Sequence, residues 1–212
     1  MFMKNIMEML KLYVIPDRKI GAPFSLEEQT EAALRGGATL IQLRDKEMEG
    51  RCLFEVAQSL RKICHCYGTP LIINDRVDVA LAVGADGVHL GQDDLPLEAV
   101  KPFVPDSFIV GVSAHTVEEA EQALALGASY IGIGAAYPTG SKVDAKVVGP
   151  SRIREIMRKV PIPAVAIGGI TIDKIPEIMT TGVQGVALIS AVIGAPNIQA
   201  EAQKIMSLIE KK

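Results

Sequence analysis

The chain has 212 residues, 49% of them hydrophobic and 4% aromatic, and a formal net charge of −3 at pH 7. That length holds one large aliphatic core, and the weak negative charge gives no electrostatic basis for binding nucleic acid or an anionic membrane. No apolar run approaches the roughly 18 residues that cross a bilayer. The N-terminal stretch lacks the pattern of a signal peptide, and Cys52, Cys64 and Cys66 fit no disulfide framework. We therefore expect a cytoplasmic protein with reduced thiols.

Eight short apolar segments alternate with segments of helical periodicity along the chain. We predict strands at residues 12–15, 39–44, 71–74, 87–90, 108–112, 130–133, 164–167 and 185–189. Helices are predicted between them, with Ser25, Thr116 and Asp173 as N-caps and with Glu28 and Glu119 completing two capping boxes. Because the alternation continues without a linker, it predicts a single (β/α)8 TIM barrel over residues 1–212 with a short N-terminal extension. An open, doubly wound sheet is the alternative.

Two acidic residues follow neighbouring predicted strands. Asp75 comes directly after the strand at 71–74, and Asp94 closes the sequence GQDD that follows the strand at 87–90. Parallel α/β folds bind ligands at the carboxyl ends of their strands, and neighbouring strands lie roughly 5 Å apart. The two carboxylates can therefore share one hard cation, and Mg²⁺ with waters and a substrate phosphate is the usual occupant of such a site. The alternative is that each acid only caps the helix that follows it.

Polar side chains also follow the other predicted strands. Gln42, Arg44 and Lys46 alternate onto one side of the second strand, which suits a polar substrate with anionic groups, although a charged strand end that is merely solvated is the alternative. Ser113, after the fifth strand, can donate a hydrogen bond to a phosphate or to another substrate group. His89 is expected inside the barrel close to the site. His115 is either an acid–base group or an exposed loop histidine.

Two further segments have the composition of anion sites. The loop after the sixth strand carries Thr139, Gly140, Ser141 and Lys142, which combine two hydroxyls, a flexible backbone and a cation. Glycines 168 and 169 follow the seventh strand and Ser190 follows the eighth, where barrels commonly bind phosphate; a tight turn at the glycines is the alternative. The chain shows no Ser-His-Asp order, no Schiff-base lysine in an apolar strand and no nicotinamide fingerprint. One cation site and two anion sites point to a reaction between two phosphorylated partners, one of them a diphosphate that needs Mg²⁺.

Six segments, taken in order, resemble the thiamine phosphate synthase family. They are QLRDK at 42–46, ND at 74–75, GQDD at 91–94, GVSAHT at 111–116, PTGSK at 138–142 and IGGI at 167–170. The resemblance implies a Mg²⁺-dependent transferase that joins 4-amino-2-methyl-5-hydroxymethylpyrimidine diphosphate to a thiazole phosphate, giving thiamine phosphate and pyrophosphate. It implies that pyrophosphate departs first, leaving a pyrimidine carbocation that the thiazole nitrogen attacks.

The resemblance also implies a role for each matching residue. Asp75 and Asp94 hold Mg²⁺, and Ser113 and Lys142 are the catalytic residues. The pyrimidine diphosphate is held by Gln42, Arg44, Asp45, Lys46, Asn74, Ser113 and Lys142. His89 is predicted as a further substrate-binding residue. The thiazole phosphate is held by Thr139, Gly140, Ser141, Gly168, Ile189 and Ser190.

The chain departs from the family pattern at a few loop positions. Pro16 and Ser141 stand where threonine is more usual, and the pair Ala135 and Ala136 replaces a more common pair that contains proline. Two other functions compete: a thiazole tautomerase of the same fold, with His115 as its acid–base group, and a non-catalytic thiamine-phosphate sensor. Retention of the acids, of the polar residues on the second strand and of Lys142 favours the synthase. The oligomeric state, monomer or homo-oligomer, stays open.

Overall fold

Eight parallel strands close into a barrel in the computed structural model, which describes residues 5–140 and 146–211. The strands are β1 Leu12–Val14, β2 Leu40–Leu43, β3 Leu71–Asn74, β4 Gly87–Leu90, β5 Ile109–Ala114, β6 Tyr130–Gly134, β7 Ala164–Ile167 and β8 Gly185–Leu188. Each strand pairs with its neighbour in the chain, and β1 also pairs with β8, which closes the sheet. The predicted TIM barrel is therefore confirmed, and the open sheet is wrong.

Helices follow the strands and cover the outside of the barrel. In the described ranges they are α1 Ile6–Met9, α2 Leu26–Arg35, α3 Gly50–Cys66, α4 Val77–Val83, α5 Leu97–Val100, α6 Val117–Ala125, α7 Gly149–Lys159, α8 Ile175–Met179, α9 Ser190–Ile193 and α10 Ile198–Glu210. Two 3₁₀ turns, Lys101–Phe103 and Ile172–Lys174, follow α5 and precede α8. Over residues 5–140 and 146–211, no helix is long and apolar enough to cross a membrane.

The predicted helix caps are partly confirmed. The Ser25 hydroxyl accepts from the Glu28 N–H at 3.1 Å, and the Ser25 N–H donates to Glu28 Oε2 at 2.8 Å, so the first capping box is present. Thr116 caps α6, but the second box is wrong, because Glu119 Oε2 accepts from the His115 N–H at 2.5 Å instead. Asp173 is not a side-chain cap either, since it lies inside the 3₁₀ turn before α8.

Strand β5 is longer than its sequence pattern predicts. It continues past Val112, because Ser113 and Ala114 pair with Gly132 and Ile133 of β6. Ser113 therefore projects from a strand and not from a loop. The four-residue helices α1 and α9 are also absent from the sequence prediction, since such short segments show no helical periodicity.

The core has two layers. The larger layer lies between the strands and the helices and is aliphatic except for Phe108 and Cys64. The smaller layer fills the barrel interior and consists of Leu10, Tyr13, Leu40, Ile72, Tyr130, Val165 and Ala187. Glycine makes room for the bulkiest of these side chains, because a Cβ on Gly111 would lie 2.2 Å from Cζ of Tyr130. This interior layer is the floor of the cavity that opens above it at the carboxyl ends of the strands.

Gly111→Ala should lower the free energy of unfolding by about 1–3 kcal/mol, because the added methyl group overlaps a fully buried aromatic ring. Urea denaturation followed by circular dichroism measures the loss. Gly50→Ala is the matched control, since the nearest atom to its added Cβ is Nη2 of Arg76 at 3.6 Å. Equal stability of the two variants would contradict this packing.

Candidate active site

A cavity of about 420 Å³ opens at the carboxyl ends of the strands, and its size suits a small organic substrate. Most of the residues selected from the sequence line it. They are Gln42, Arg44, Lys46, Asn74, Asp75, His89, Asp94, Ser113, Thr139, Gly168, Ile189 and Ser190. The barrel closure therefore brings together side chains from seven strand ends that lie far apart in the sequence.

Two of the selected residues that the structure describes, Asp45 and Gly140, do not line the cavity. The Asp45 carboxylate accepts from Nε of Arg18 and from the backbone N–H groups of Glu47, at 3.0 Å, and Met48, at 2.9 Å. These bonds shape the loop after β2, which carries Lys46 to the cavity. Gly140 is exposed and outside the lining. The predicted roles of Ser141 and Lys142 lie outside the described residues.

Asp75 and Asp94 form a pair of neighbouring carboxylates. Asp75 adopts a left-handed backbone with φ of 59°, and its N–H donates to the His89 carbonyl at 2.9 Å. Asp94 accepts from the Gly91 N–H through Oδ2 at 2.7 Å. The helices that follow begin after Arg76 and Pro96 without a side-chain cap, so the capping alternative is wrong for both acids.

The electrostatics of this pair favour a cation. Burial, together with the neighbouring Asp94 carboxylate, raises the pKa of Asp75 above its usual value. The Lys46 ammonium opposes that rise only in part, with Nζ 3.4 Å from Asp75 Oδ2. Within the described ranges no three His, Cys, Asp or Glu side chains are grouped for metal binding. A cation at this pair must therefore complete its shell with water or substrate oxygens, as Mg²⁺ commonly does.

A chain of polar side chains crosses the barrel interior below the cavity. Nε2 of Gln42 donates to the Tyr13 hydroxyl, which lies 3.0 Å from the Tyr130 hydroxyl. The Tyr130 hydroxyl lies 3.0 Å from Nδ1 of His89, and Nε2 of His89 lies 3.1 Å from Oγ of Ser113. Sequence reasoning missed both tyrosines, although a hydroxyl in an otherwise aliphatic strand must find a partner when it is buried.

A histidine and a glutamate lie on another wall of the cavity. His115 lines the cavity, and its Nδ1 lies 3.1 Å from Oε2 of Glu119, which also accepts from the His115 backbone. This arrangement holds the imidazole of His115 in one orientation. Asp93 and Lys146 also line the cavity, and sequence reasoning missed both.

The loops after β6 and β7 pack closely on each other at the far wall. Gly168 and Gly169 have φ of 94° and 64°, and a Cβ on Gly169 would lie 2.4 Å from the Pro138 carbonyl oxygen. The Tyr137 hydroxyl donates to Glu177 Oε2 at 2.7 Å, and Nζ of Lys174 lies 4.1 Å above the Tyr137 ring. Only glycine fits this backbone geometry and this close approach, which holds the start of the loop that carries Thr139 against β7.

A family model and relatives of 42% to 47% identity identify the family of this chain. A family model described as thiamine monophosphate synthase matches residues 12–192. The thiamine-phosphate synthase of Coprothermobacter proteolyticus is 46% identical over 206 residues, which are 97% of this chain and 98% of that protein. The one from Methanospirillum hungatei is 47% identical over 199 residues, covering 93% and 97%. The structure of thiamine phosphate pyrophosphorylase from Pyrococcus furiosus matches with a TM-score of 0.91 and 42% identity, covering 98% of both chains.

Asp94→Asn should stabilise the metal-free protein at pH 7, because it removes the charge that opposes ionisation of Asp75 while keeping an oxygen for the Gly91 N–H. We expect the melting temperature to rise by about 2–4 °C, the shift for roughly 1 kcal/mol in a chain of this size. Folding raises the pKa of Asp75, so Asp75 destabilises the folded chain only at pH values above the pKa it has in the unfolded chain. The gain in stability from Asp94→Asn should therefore vanish below about pH 4.

Calorimetry of the metal-free protein at pH 7 and pH 3 measures this gain. Asp78→Asn is the control of opposite sign, because Arg76 lowers the pKa of Asp78 and its loss should slightly destabilise the protein at pH 7. A lower melting temperature for Asp94→Asn than for the wild-type protein at pH 7 would contradict the repulsion between Asp75 and Asp94.

Proposed function

Since the chain belongs to the thiamine monophosphate synthase family and is a transferase that forms thiamine phosphate, we propose that it condenses a pyrimidine diphosphate with a thiazole phosphate at the cavity described above. The pyrimidine substrate is 4-amino-2-methyl-5-hydroxymethylpyrimidine diphosphate, and the second product is pyrophosphate. The observation that carries this proposal is the Asp75–Asp94 carboxylate pair in one cavity with Arg44 and Lys46. A diphosphate and a divalent cation together match that mixture of acids and bases.

The residues present fit a magnesium ion. Asp75 and Asp94 supply two carboxylates, and their repulsion falls when a cation binds between them. When bound, Mg²⁺ supplies positive charge against the negative charge that builds on the leaving pyrophosphate. Arg44, Lys46 and the amide of Asn74 bind the diphosphate oxygens beside it, and Lys142 adds a further cation, a role that rests on its sequence motif.

The reaction requires charge stabilisation and little proton transfer. The bond between the pyrimidine methylene carbon and the diphosphate oxygen breaks first, and both bonding electrons leave with pyrophosphate. The thiazole nitrogen then donates its lone pair to the pyrimidine carbocation, forming the new carbon–nitrogen bond. Gln42 and Ser113 orient the pyrimidine ring, and fixed cationic groups lower the barrier to departure of the diphosphate.

The thiazole phosphate binds at the far wall of the cavity. Thr139, Gly168, Ile189 and Ser190 line that wall, and the left-handed Gly168 backbone lets an anion approach closely. Gly140 and Ser141 join them on the strength of the loop sequence. Asp45 contributes by shaping the loop that carries Lys46.

We place the reaction in the cytoplasm. The three cysteines are free thiols, two of them exposed, and a reducing compartment keeps such thiols from pairing.

Asp75→Asn should lower kcat by about 10²–10³-fold, because one carboxylate of the cation site is lost while asparagine still tolerates the left-handed backbone. Pyrophosphate release, measured with both substrates and Mg²⁺ and again with EDTA, reports the rate. Asp78→Asn makes the same chemical change at an exposed position of α4 and should keep the wild-type rate.

Three outcomes distinguish the alternatives. An unchanged rate for Asp75→Asn would remove the magnesium assignment. Pyrophosphate release that is insensitive to EDTA would do the same. If the wild-type protein released no pyrophosphate and only isomerised the thiazole phosphate, the result would favour a thiazole tautomerase with His115 as its acid–base group.

A further inference from the structure

The polar chain in the barrel interior connects two walls of the cavity. Its ends, Gln42 and Ser113, both line the cavity, as do Tyr13 and His89. Tyr13 and Tyr130 are only 1% and 0% exposed. The link between them passes through His89. Residues from five strands, β2, β1, β6, β4 and β5, thus form one continuous path of hydrogen bonds.

The direction of these hydrogen bonds follows from the chemistry of the Gln42 end. An amide nitrogen can only donate, so the Tyr13 oxygen accepts from Nε2 of Gln42. The Tyr13 proton is then donated to the Tyr130 oxygen, its other hydrogen-bond partner within residues 5–140 and 146–211. The reverse direction would leave the buried Tyr13 proton without an acceptor, which is unfavourable.

The direction continues through the imidazole of His89. Burial raises the pKa of both tyrosines, so both hydroxyls stay protonated and can donate. The Tyr130 proton goes to Nδ1 of His89, which requires the neutral tautomer with its proton on Nε2. That proton is donated to Oγ of Ser113, and the Ser113 hydroxyl proton is then directed to a further acceptor.

Each end of the path therefore offers one kind of group to a ligand. Ser113 offers a donor, and Gln42, whose nitrogen is already used, offers its carbonyl oxygen as an acceptor. An aminopyrimidine ring carries the matching groups, namely an exocyclic N–H donor and an unprotonated ring nitrogen. A hydroxypyrimidine in its oxo form carries a carbonyl acceptor and a ring N–H donor, which is the opposite pattern.

Two glycines accommodate this arrangement. A Cβ on Gly111 would overlap the Tyr130 ring, and a Cβ on Gly132 would lie 3.2 Å from Cε1 of His89. Glycine at positions 111 and 132 therefore leaves space for the rings of Tyr130 and His89, which can then contact each other inside the barrel.

We propose that Tyr13 and Tyr130 are positioning residues that fix, through His89, the Ser113 hydroxyl as a donor and the Gln42 amide as an acceptor, and so select an aminopyrimidine over a hydroxypyrimidine. This inference rests on the pyrimidine placement given under the proposed function. It assigns a role in specificity to two buried tyrosines, one of which, Tyr130, does not line the cavity.

The tautomer of His89 tests the path without any substrate. Nitrogen-15 NMR of protein labelled in its three histidines distinguishes the two neutral tautomers, and His89→Gln identifies the His89 signals. We expect the wild-type protein to carry the proton on Nε2, and Tyr130→Phe to show a mixture of tautomers. A proton on Nδ1 in the wild-type protein, or an unchanged His89 spectrum in Tyr130→Phe, would overturn the proposal.

Substrate kinetics test the consequence. Tyr130→Phe should raise KM for the aminopyrimidine diphosphate about tenfold and leave KM for the thiazole phosphate within about twofold, because only one subsite loses a fixed hydrogen bond. It should also narrow the preference for the amino substrate over its hydroxy analogue. Tyr67→Phe, which removes an exposed hydroxyl bonded to Arg35, is the matched control and should change neither KM.

A purely structural role would give a different result. If Tyr130→Phe destabilises the protein, Tyr13→Phe supplies a second variant that removes the link to Gln42 and keeps the Tyr130–His89 bond. Equal KM changes for both substrates in both variants would overturn the proposal and leave the synthase function standing. Failure of the wild-type protein to release pyrophosphate would overturn the function, whereas the His89 tautomer would still report on the path.

Discussion

Repulsion between two carboxylates held close together is the constraint on which the site depends. The ladder between β3 and β4 pairs Asn74 with His89, and the Asp75 N–H then donates to the His89 carbonyl, which fixes Asp75 beside Asp94. Their proximity disfavours ionisation of Asp75, and the metal-free fold carries that cost. Under the proposed function, a divalent cation and an anionic substrate would remove this cost, and the carboxylate pair would favour a charged substrate that binds with a metal ion.

Under the proposed function, the barrel interior must also recognise a neutral pyrimidine ring close to the charged groups of the cavity. A cavity with cations and carboxylates attracts any phosphorylated compound, so the ring must be selected by directional hydrogen bonds. In our proposal the polar path from Gln42 to Ser113 supplies that direction from the floor of the cavity. Charged groups at the cavity mouth would then bind the phosphates, and directional hydrogen bonds at the floor would select the ring.

Sequence reasoning predicted which residues share one cavity where a polar residue follows directly after a strand. Asp75, Asp94 and Lys46 stand at strand ends, and the barrel topology alone brings those ends together. Sequence reasoning failed where a contact joins distant segments. Tyr13 and Tyr130 are 117 residues apart, and no local sequence pattern predicts the hydrogen bond between them. The family resemblance also implied that Asp45 binds substrate, whereas its carboxylate accepts from two backbone N–H groups of its own loop. A motif match does not show which way a loop side chain points.

Diffraction from crystals grown with Mn²⁺ and pyrophosphate tests the central claim most directly, because Mn²⁺ replaces Mg²⁺ at oxygen sites and is located by its anomalous scattering. We expect one anomalous peak bonded to carboxylate oxygens of both Asp75 and Asp94 and to pyrophosphate, with Arg44 and Lys46 on the remaining phosphate oxygens. Pyrophosphate bound in the cavity with the metal elsewhere, or with neither acid as a ligand, would contradict the account.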